Sequence, residues 1–191
     1  MQRLESRQMR QRINPAAEVQ AHMLRDDGTF PNNPSLPIIL YRRVCKLPNN
    51  GHAATILERV FAANGWCHSW RNGIYNFQHY HSTAHEVLGC FSGQAQTQLG
   101  GPHGVLFTLR RGDVLVLPAG TAHKRTRASS DFTVVGCYPD GQHYDMKYGR
   151  AGERPSADEN IARVPLPPAD PIFGASGPLI EHWHTAQAQS G

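Results

Sequence analysis

Read as a string of apolar and polar positions, the chain changes rhythm as it proceeds. "IILYRRVC" is a short apolar run closed by charge and reads as a strand. "GHAATILERVFAANGW" carries Ile56, Leu57, Val60 and Phe61 at helical spacing and stops at Asn64-Gly65, which predicts one helix near 52–63, packed on the outside of the strands C-terminal to it. From Trp66 the period shortens. "WCHSWR", "IYNFQHYH", "HEVLGCFSG", "QAQTQLGGPHG", "VLFTLRRG", "DVLVLPAG", "TAHKRTRA" and "DFTVVGCYPDG" read as strands at near-even spacing, punctuated by Gly and Asn turns. That spacing predicts an all-β domain, a barrel or jelly roll.

The flanks are less regular. Residues 1–14 read as a frayed tail or a weak amphipathic helix, and "NPAAEVQAHML" as a short helix. In "RDDGTFPNNPSLP", Asp27-Gly28 with Pro31, Pro34 and Pro37 forces turns and extended backbone. The expected division is an N-terminal arm over 1–35, a barrel over 36–145 and an extended C-terminal segment over 146–191. That last segment holds Ile161, Val164, Leu166, Ile172 and Phe173 without periodicity, so it must bury them against the domain or a second copy. A homodimer is the expected assembly.

Asn72-Gly73 predicts a two-residue hairpin turn, because a type I′ turn needs positive φ at both central positions. Pairing across it would set Trp66 opposite His79, and alternation would put Trp66, His68, Trp70, Tyr75, Phe77, His79 and His81 on one face. The rings would then floor a pocket into which His79 and His81 point. Each ring alone is more often core than pocket. Two inward imidazoles at i and i+2 are harder to explain as core, since their ring nitrogens need partners, and a shared cation would satisfy both.

Bulk properties narrow the function. A chain of 191 residues is long enough for one domain with a substantial core. The formal charge of +4 comes largely from Arg3, Arg7, Arg10 and Arg12, so no nucleic-acid surface is indicated. No stretch approaches the ~18 apolar residues of a membrane span, and no apolar run follows the basic start, so a cytoplasmic protein without membrane contact is expected. Cys45, Cys67, Cys90 and Cys137 are too far apart for CxxC motifs and read as reduced core thiols.

The sequence resembles the cupin superfamily through two glycine-framed motifs. The first is met by Gly73, His79, His81, Glu86 and Gly93; the second by Gly112, Pro118, Gly120 and His123. Arg127 stands where the second motif usually has an asparagine that is not a ligand. Together the motifs cover about a third of the chain, with 18 residues between Gly93 and Gly112. "DDGTFPNNPSLPIILY", "HYHSTAHEVLG", "LPAGTAHKR" and "DFTVVGCYPDG" are further similar to the YjlB-like cupins of bacteria, a similarity that carries no substrate.

The resemblance implies a cupin double-stranded β-helix and a metal held by His79, His81, Glu86 and His123. Three imidazoles and a carboxylate suit one divalent transition metal, Fe, Mn, Ni, Zn or Cu, rather than Ca or Mg. His85 adjoins Glu86 but faces the other way on a strand, and is expected behind the ligands or at the surface. Three functions are compatible: a metal-dependent enzyme on a small organic molecule, oxygenase-type first and isomerase or lyase next; a non-catalytic small-molecule sensor with a structural metal; and a metal-free sugar isomerase or epimerase. The full ligand set counts against the last. His68, Tyr75 and Tyr80 are candidates to supply a proton.

Overall fold

The computed structural model describes residues 11–190, with side chains to Ala186. Most of the basic tail, Arg3, Arg7 and Arg10 included, lies outside the described residues. The elements in order are β1 (Glu18–His22), β2 (Ile38–Arg42), α1 (Ala53–Ala63), β3 (Trp66–Asn72), β4 (Glu86–Ser92), β5 (Gln94–Leu99), β6 (Val105–Arg110), β7 (Val114–Leu117), β8 (His123–Ala128), β9 (Thr133–Pro139), α2 (Ser156–Arg163) and α3 (Pro178–Ser190). They form a six-stranded antiparallel sheet, β1-β2-β7-β4-β9-β3, facing a three-stranded one, β6-β5-β8. This is the cupin double-stranded β-helix.

The larger sheet is buried on both faces, and its sequence shows why. Leu40, Leu88, Cys90, Leu115, Leu117 and Val134 point inward and meet Ala95, Leu99, Phe107 and Leu109 of the smaller sheet. Ile39, Tyr41, Val87, Val114, Val116 and Val135 point outward beneath Leu57, Val60 and Phe61 of α1. Continuous apolar runs such as "VLVL" in β7 are what double burial requires. The helix approaches β4 closely: a Cβ on Gly89 would lie 2.9 Å from both Leu57 and Phe61.

Three expectations are corrected. "NPAAEVQAHML" forms no helix but supplies β1, whose Gln20 and Ala21 pair with Leu40 and Ile39; a free sheet edge offers backbone bonds that outweigh weak helical propensity. The Asn72-Gly73 hairpin does not form. Neither residue has positive φ, and β3 instead pairs with β9 while residues 74–81 cross to the other sheet and run beside β8. The C-terminal segment is not simply extended: it contains α2 and α3, with acidic Asp158 and Glu159 in the first turn of α2 and Arg163 in its last.

That segment straps across the outer face. Trp183 on α3 donates from Nε1 to the Pro37 carbonyl at 2.9 Å, and Trp66 donates to Ala169 O at 2.9 Å. Asn64 and Gln142 donate to the carbonyls of Pro171 and Pro165. Asp170, fully buried, accepts from the Tyr41 hydroxyl and from the N–H groups of Ile172, Phe173 and Leu179. Ile161 and Ile172 are buried, and Leu166 and Phe173 pack on the outer core, so these residues find cover within their own chain. Among the described residues no helix is long and apolar enough to cross a membrane.

Asp170→Ala would leave the Tyr41 hydroxyl and three amides without their acceptor. At about 1–3 kcal/mol for each buried group left unpaired, a loss of roughly 4 kcal/mol or more is expected, read as a lower urea midpoint at unchanged slope. Asp170→Asn, which keeps one acceptor oxygen, should lose distinctly less.

Candidate metal centre

Four polar side chains converge at one end of the barrel interior. Residues 74–81 lie against β8 through reciprocal backbone bonds, His79 N–H to His123 O at 3.3 Å and His123 N–H to His79 O at 2.9 Å. Gly120 N–H donates to His81 O at 2.7 Å and closes the segment's far end. The imidazoles of His79, His81 and His123, all buried, thereby place one nitrogen each within 4.8 Å of the others. Glu86 arrives from the opposite sheet, as the first residue of β4 and on its inward face with Leu88. Its Oε2 lies 3.6 Å from His81 Nε2 and 3.3 Å from His123 Nε2.

The histidines share one arrangement. Nδ1 of His79 faces the carbonyl of Phe77, Nδ1 of His81 that of Asp145, and Nδ1 of His123 that of Thr121. A carbonyl can only accept, so each Nδ1 carries the proton and each Nε2 keeps a lone pair for the centre. The Asp145 carbonyl is itself held in place, because its carboxylate accepts from Ser82 N–H and Ser82 Oγ–H and its own N–H donates to Thr83.

Burial and mutual contact set the electrostatics of these groups. Burial, aided by the facing His123, pushes His79 down to about 3. Burial works against charge on His81 too, but the neighbouring Glu86 carboxylate, with Asp145, outweighs it and raises His81 above the ordinary imidazole value. Burial would raise Glu86, yet His81 and His123 more than offset it and hold its carboxyl far below the usual range. Glu86 Oε2 is buried without a hydrogen-bond partner, whereas Oε1 accepts from the Tyr138 hydroxyl at 3.1 Å. Three convergent imidazole lone pairs and an unsatisfied buried carboxylate oxygen make a donor set that fits a divalent transition metal.

The site opens into a cavity of about 370 Å³, at the small end of the ligand-pocket range. His68, Trp70 and Tyr75 line it, as does the unforeseen trio Tyr138, Tyr144 and Met146. Trp66 does not. A register shift between Cys67 and Trp70, with His68 at φ 55°, inserts one residue into β3 and reverses the parity between Trp66 and Trp70. Trp66 therefore faces the outer core and is on the opposite side from His79, while Trp70 faces inward. Phe77 is 42% exposed at the rim, stacked on Tyr75, and does not line the cavity. Tyr80 points away, its hydroxyl donating to Glu153.

His85 faces away from the Glu86 side chain, with its ring 4.7 Å from that of Trp183. Its Nδ1 accepts from Ala119 N–H at 3.0 Å, so it acts on the turn that leads to His123. Asn32 and Asn33 hold the same turn from the N-terminal arm: Asn32 Oδ1 accepts from Ala122 N–H and Asn33 Nδ2 donates to Ala119 O. Gly120 permits this approach, with φ 93° and Asn32 O at 2.4 Å from where a Cβ would stand. No sequence signal short of the resemblance separates Asn32 and Asn33 from ordinary turn formers.

Burial, partly offset by the Pro165 carbonyl, pushes His85 down to about 3. Below an unfolded value of about 6.5 the unfolded chain takes up a proton that folded His85 refuses, so this residue withdraws ~1.4 kcal/mol of stability per pH unit as pH falls. His85→Gln should remove that slope, about 2 kcal/mol by about pH 5, in urea titrations of chelator-treated protein. An unchanged slope would place His85 in water.

No family model matches the chain. Among solved structures it is similar to a double-stranded β-helix protein from Klebsiella pneumoniae, 12% identical over 73% of this chain and 93% of that one at TM-score 0.34. It is also similar to the dTDP-6-deoxy-D-glucose-3,5-epimerase RmlC of Legionella pneumophila, 14% identical over 66% and 74% of the two chains at TM-score 0.37. A salicylate 1,2-dioxygenase from Pseudaminobacter salicylatoxidans is 11% identical over 75% of this chain at TM-score 0.31. The chain spans 37% of that dioxygenase and 29% of a coconut 11S allergen. These likenesses are too distant to bear on activity. Sequence similarity is much closer to "Uncharacterized protein YjlB" of Bacillus subtilis, 41% identical over 166 residues that make up 87% of this chain and 97% of that protein. With the two motifs placed on a double-stranded β-helix, the chain belongs to the YjlB family of cupins.

Proposed function

We propose that the protein is an enzyme that holds one divalent transition metal, Fe, Mn, Ni, Zn or Cu, on His79, His81, Glu86 and His123 and transforms a small organic molecule in the adjoining cavity, by oxygenase-type chemistry ahead of isomerase or lyase chemistry. The observation that carries this reading is the clustering of three buried imidazoles, each with Nδ1 turned to a carbonyl, beside a buried Glu86 oxygen that lies 3.6 Å from His81 Nε2 and 3.3 Å from His123 Nε2 and has no hydrogen-bond partner. Bound there, the ion would supply a Lewis acid with open positions for substrate oxygen. The chain supplies the rest. Leu88 and Ile74 keep the inner wall apolar, and Trp70, Tyr75 and Tyr144 offer ring faces and edges against which a small molecule can be held. His68, at the strained bulge beside the cavity, is the imidazole placed to accept or donate a proton outside the ligand set.

Elemental analysis tests the metal. His79→Ala, His81→Ala, Glu86→Ala and His123→Ala should each lose more than the ~10–100-fold in affinity that removal of an outer-shell partner costs, while His85→Ala retains most of the metal. Affinity should also fall on acidification, led by His81, whose protonation the neighbouring Glu86 carboxylate favours and whose proton would compete with the metal. Equal retention in all five variants would overturn the reading.

A further inference from the structure

A hydrogen-bonded chain of side chains runs behind Glu86, outside the ligand set. Trp70 Nε1 lies 3.1 Å from the Tyr138 hydroxyl, and the Tyr138 hydroxyl lies 3.1 Å from Glu86 Oε1. Indole N–H can only donate and a carboxylate can only accept, so the direction is fixed: Trp70 donates to Tyr138, and the single Tyr138 proton goes to Glu86. Tyr138 is 3% exposed, which shields both bonds from competing water.

The backbone is arranged for this chain. The extra residue in β3 turns Trp70 inward, and Trp70 stands opposite Gly136 in β9. A Cβ on Gly136 would lie 2.1 Å from Trp70 Cε2, so the indole can lie flat across that strand only because the position is glycine. Leu88 of β4 also pairs with Gly136, two residues along from Glu86. Strands β3, β9 and β4 thus bring donor, relay and carboxylate into one line.

We propose that Tyr138, oriented by Trp70, is a positioning residue that occupies Glu86 Oε1 and so restricts Glu86 to binding the metal through Oε2 alone. The consequence is control of coordination number. With one carboxylate oxygen tied back, a position that a bidentate Glu86 would fill stays open to substrate. This rests on the metal centre of the proposed function, and the two fail in different ways.

The test is Co²⁺ binding to chelator-treated protein, read as affinity and as the visible ligand-field spectrum, which reports coordination number. Tyr138→Phe should still bind one Co²⁺, ~10-fold more weakly, with a changed spectrum. Trp70→Phe, which keeps the Tyr138 hydroxyl but frees it to turn, should shift the spectrum the same way by less. A side chain with only a packing role would lower the urea midpoint and leave the spectrum alone. Unchanged affinity and spectrum in both variants, with metal still lost in His79→Ala, would overturn the positioning role and leave the metal centre standing. Wild-type protein that binds no Co²⁺ would overturn both. Should Tyr138→Phe fail to fold, the Trp70→Phe spectrum decides alone, an unchanged one counting against the proposal.

Discussion

The site depends on a reciprocal pair of backbone hydrogen bonds between His79 and His123. These two residues belong to segments more than forty positions apart: His123 opens β8, where it also pairs with Leu99 of β5, and residues 74–81 pair with β8 only locally. The bond pair sets the ring centroids of His79 and His123 4.0 Å apart and leaves His81, two residues on, directed at the same centre. Glu86 must then come from the other sheet. The barrel therefore closes around a polar cluster in which each Nδ1 and Glu86 Oε1 has a partner, while Glu86 Oε2 is left without one, a deficit that a bound cation would meet.

Holding that cluster requires support from outside the barrel. The turn from Pro118 to Ala122 is clamped by Asn32 and Asn33 of the arm and by His85, the residue before β4. His85 in turn packs on Trp183, which the C-terminal strap brings back over the outer face of the large sheet. Arm, barrel and strap thus form one connected support, with the ligand-bearing turn at its centre. The buried Asp170–Tyr41 pair is where the strap is fastened.

Much of this was legible in the residue pattern. The apolar run of β2, the helical spacing of α1 and the even punctuation from Trp66 to Asp140 specify an all-β domain with one packed helix. The opposite directions of Glu86 and His85 follow from the alternation of neighbours in extended backbone, which is local information. The association of His79, His81, Glu86 and His123 was legible through the glycine-framed motifs, which fix separations along the chain.

What the sequence by itself determined, then, was periodicity, and with it the class of fold and the set of residues able to meet. What only the tertiary structure decided was pairing. Asn72-Gly73 is as good a hairpin signal as local chemistry provides, yet β3 found a longer ladder on β9, and the segment after it found its partners on β8. One inserted residue at His68 reversed the side of Trp66, because a strand's faces alternate with period two and any bulge resets the count. The apolar residues of the C-terminal segment called for cover but not for where it would fasten, since the fastening is built from indole, amide and carboxylate bonds to carbonyls and hydroxyls far away in the chain. Which strands pair is settled by the total of non-local hydrogen bonds and buried area, and no window of the sequence contains that total.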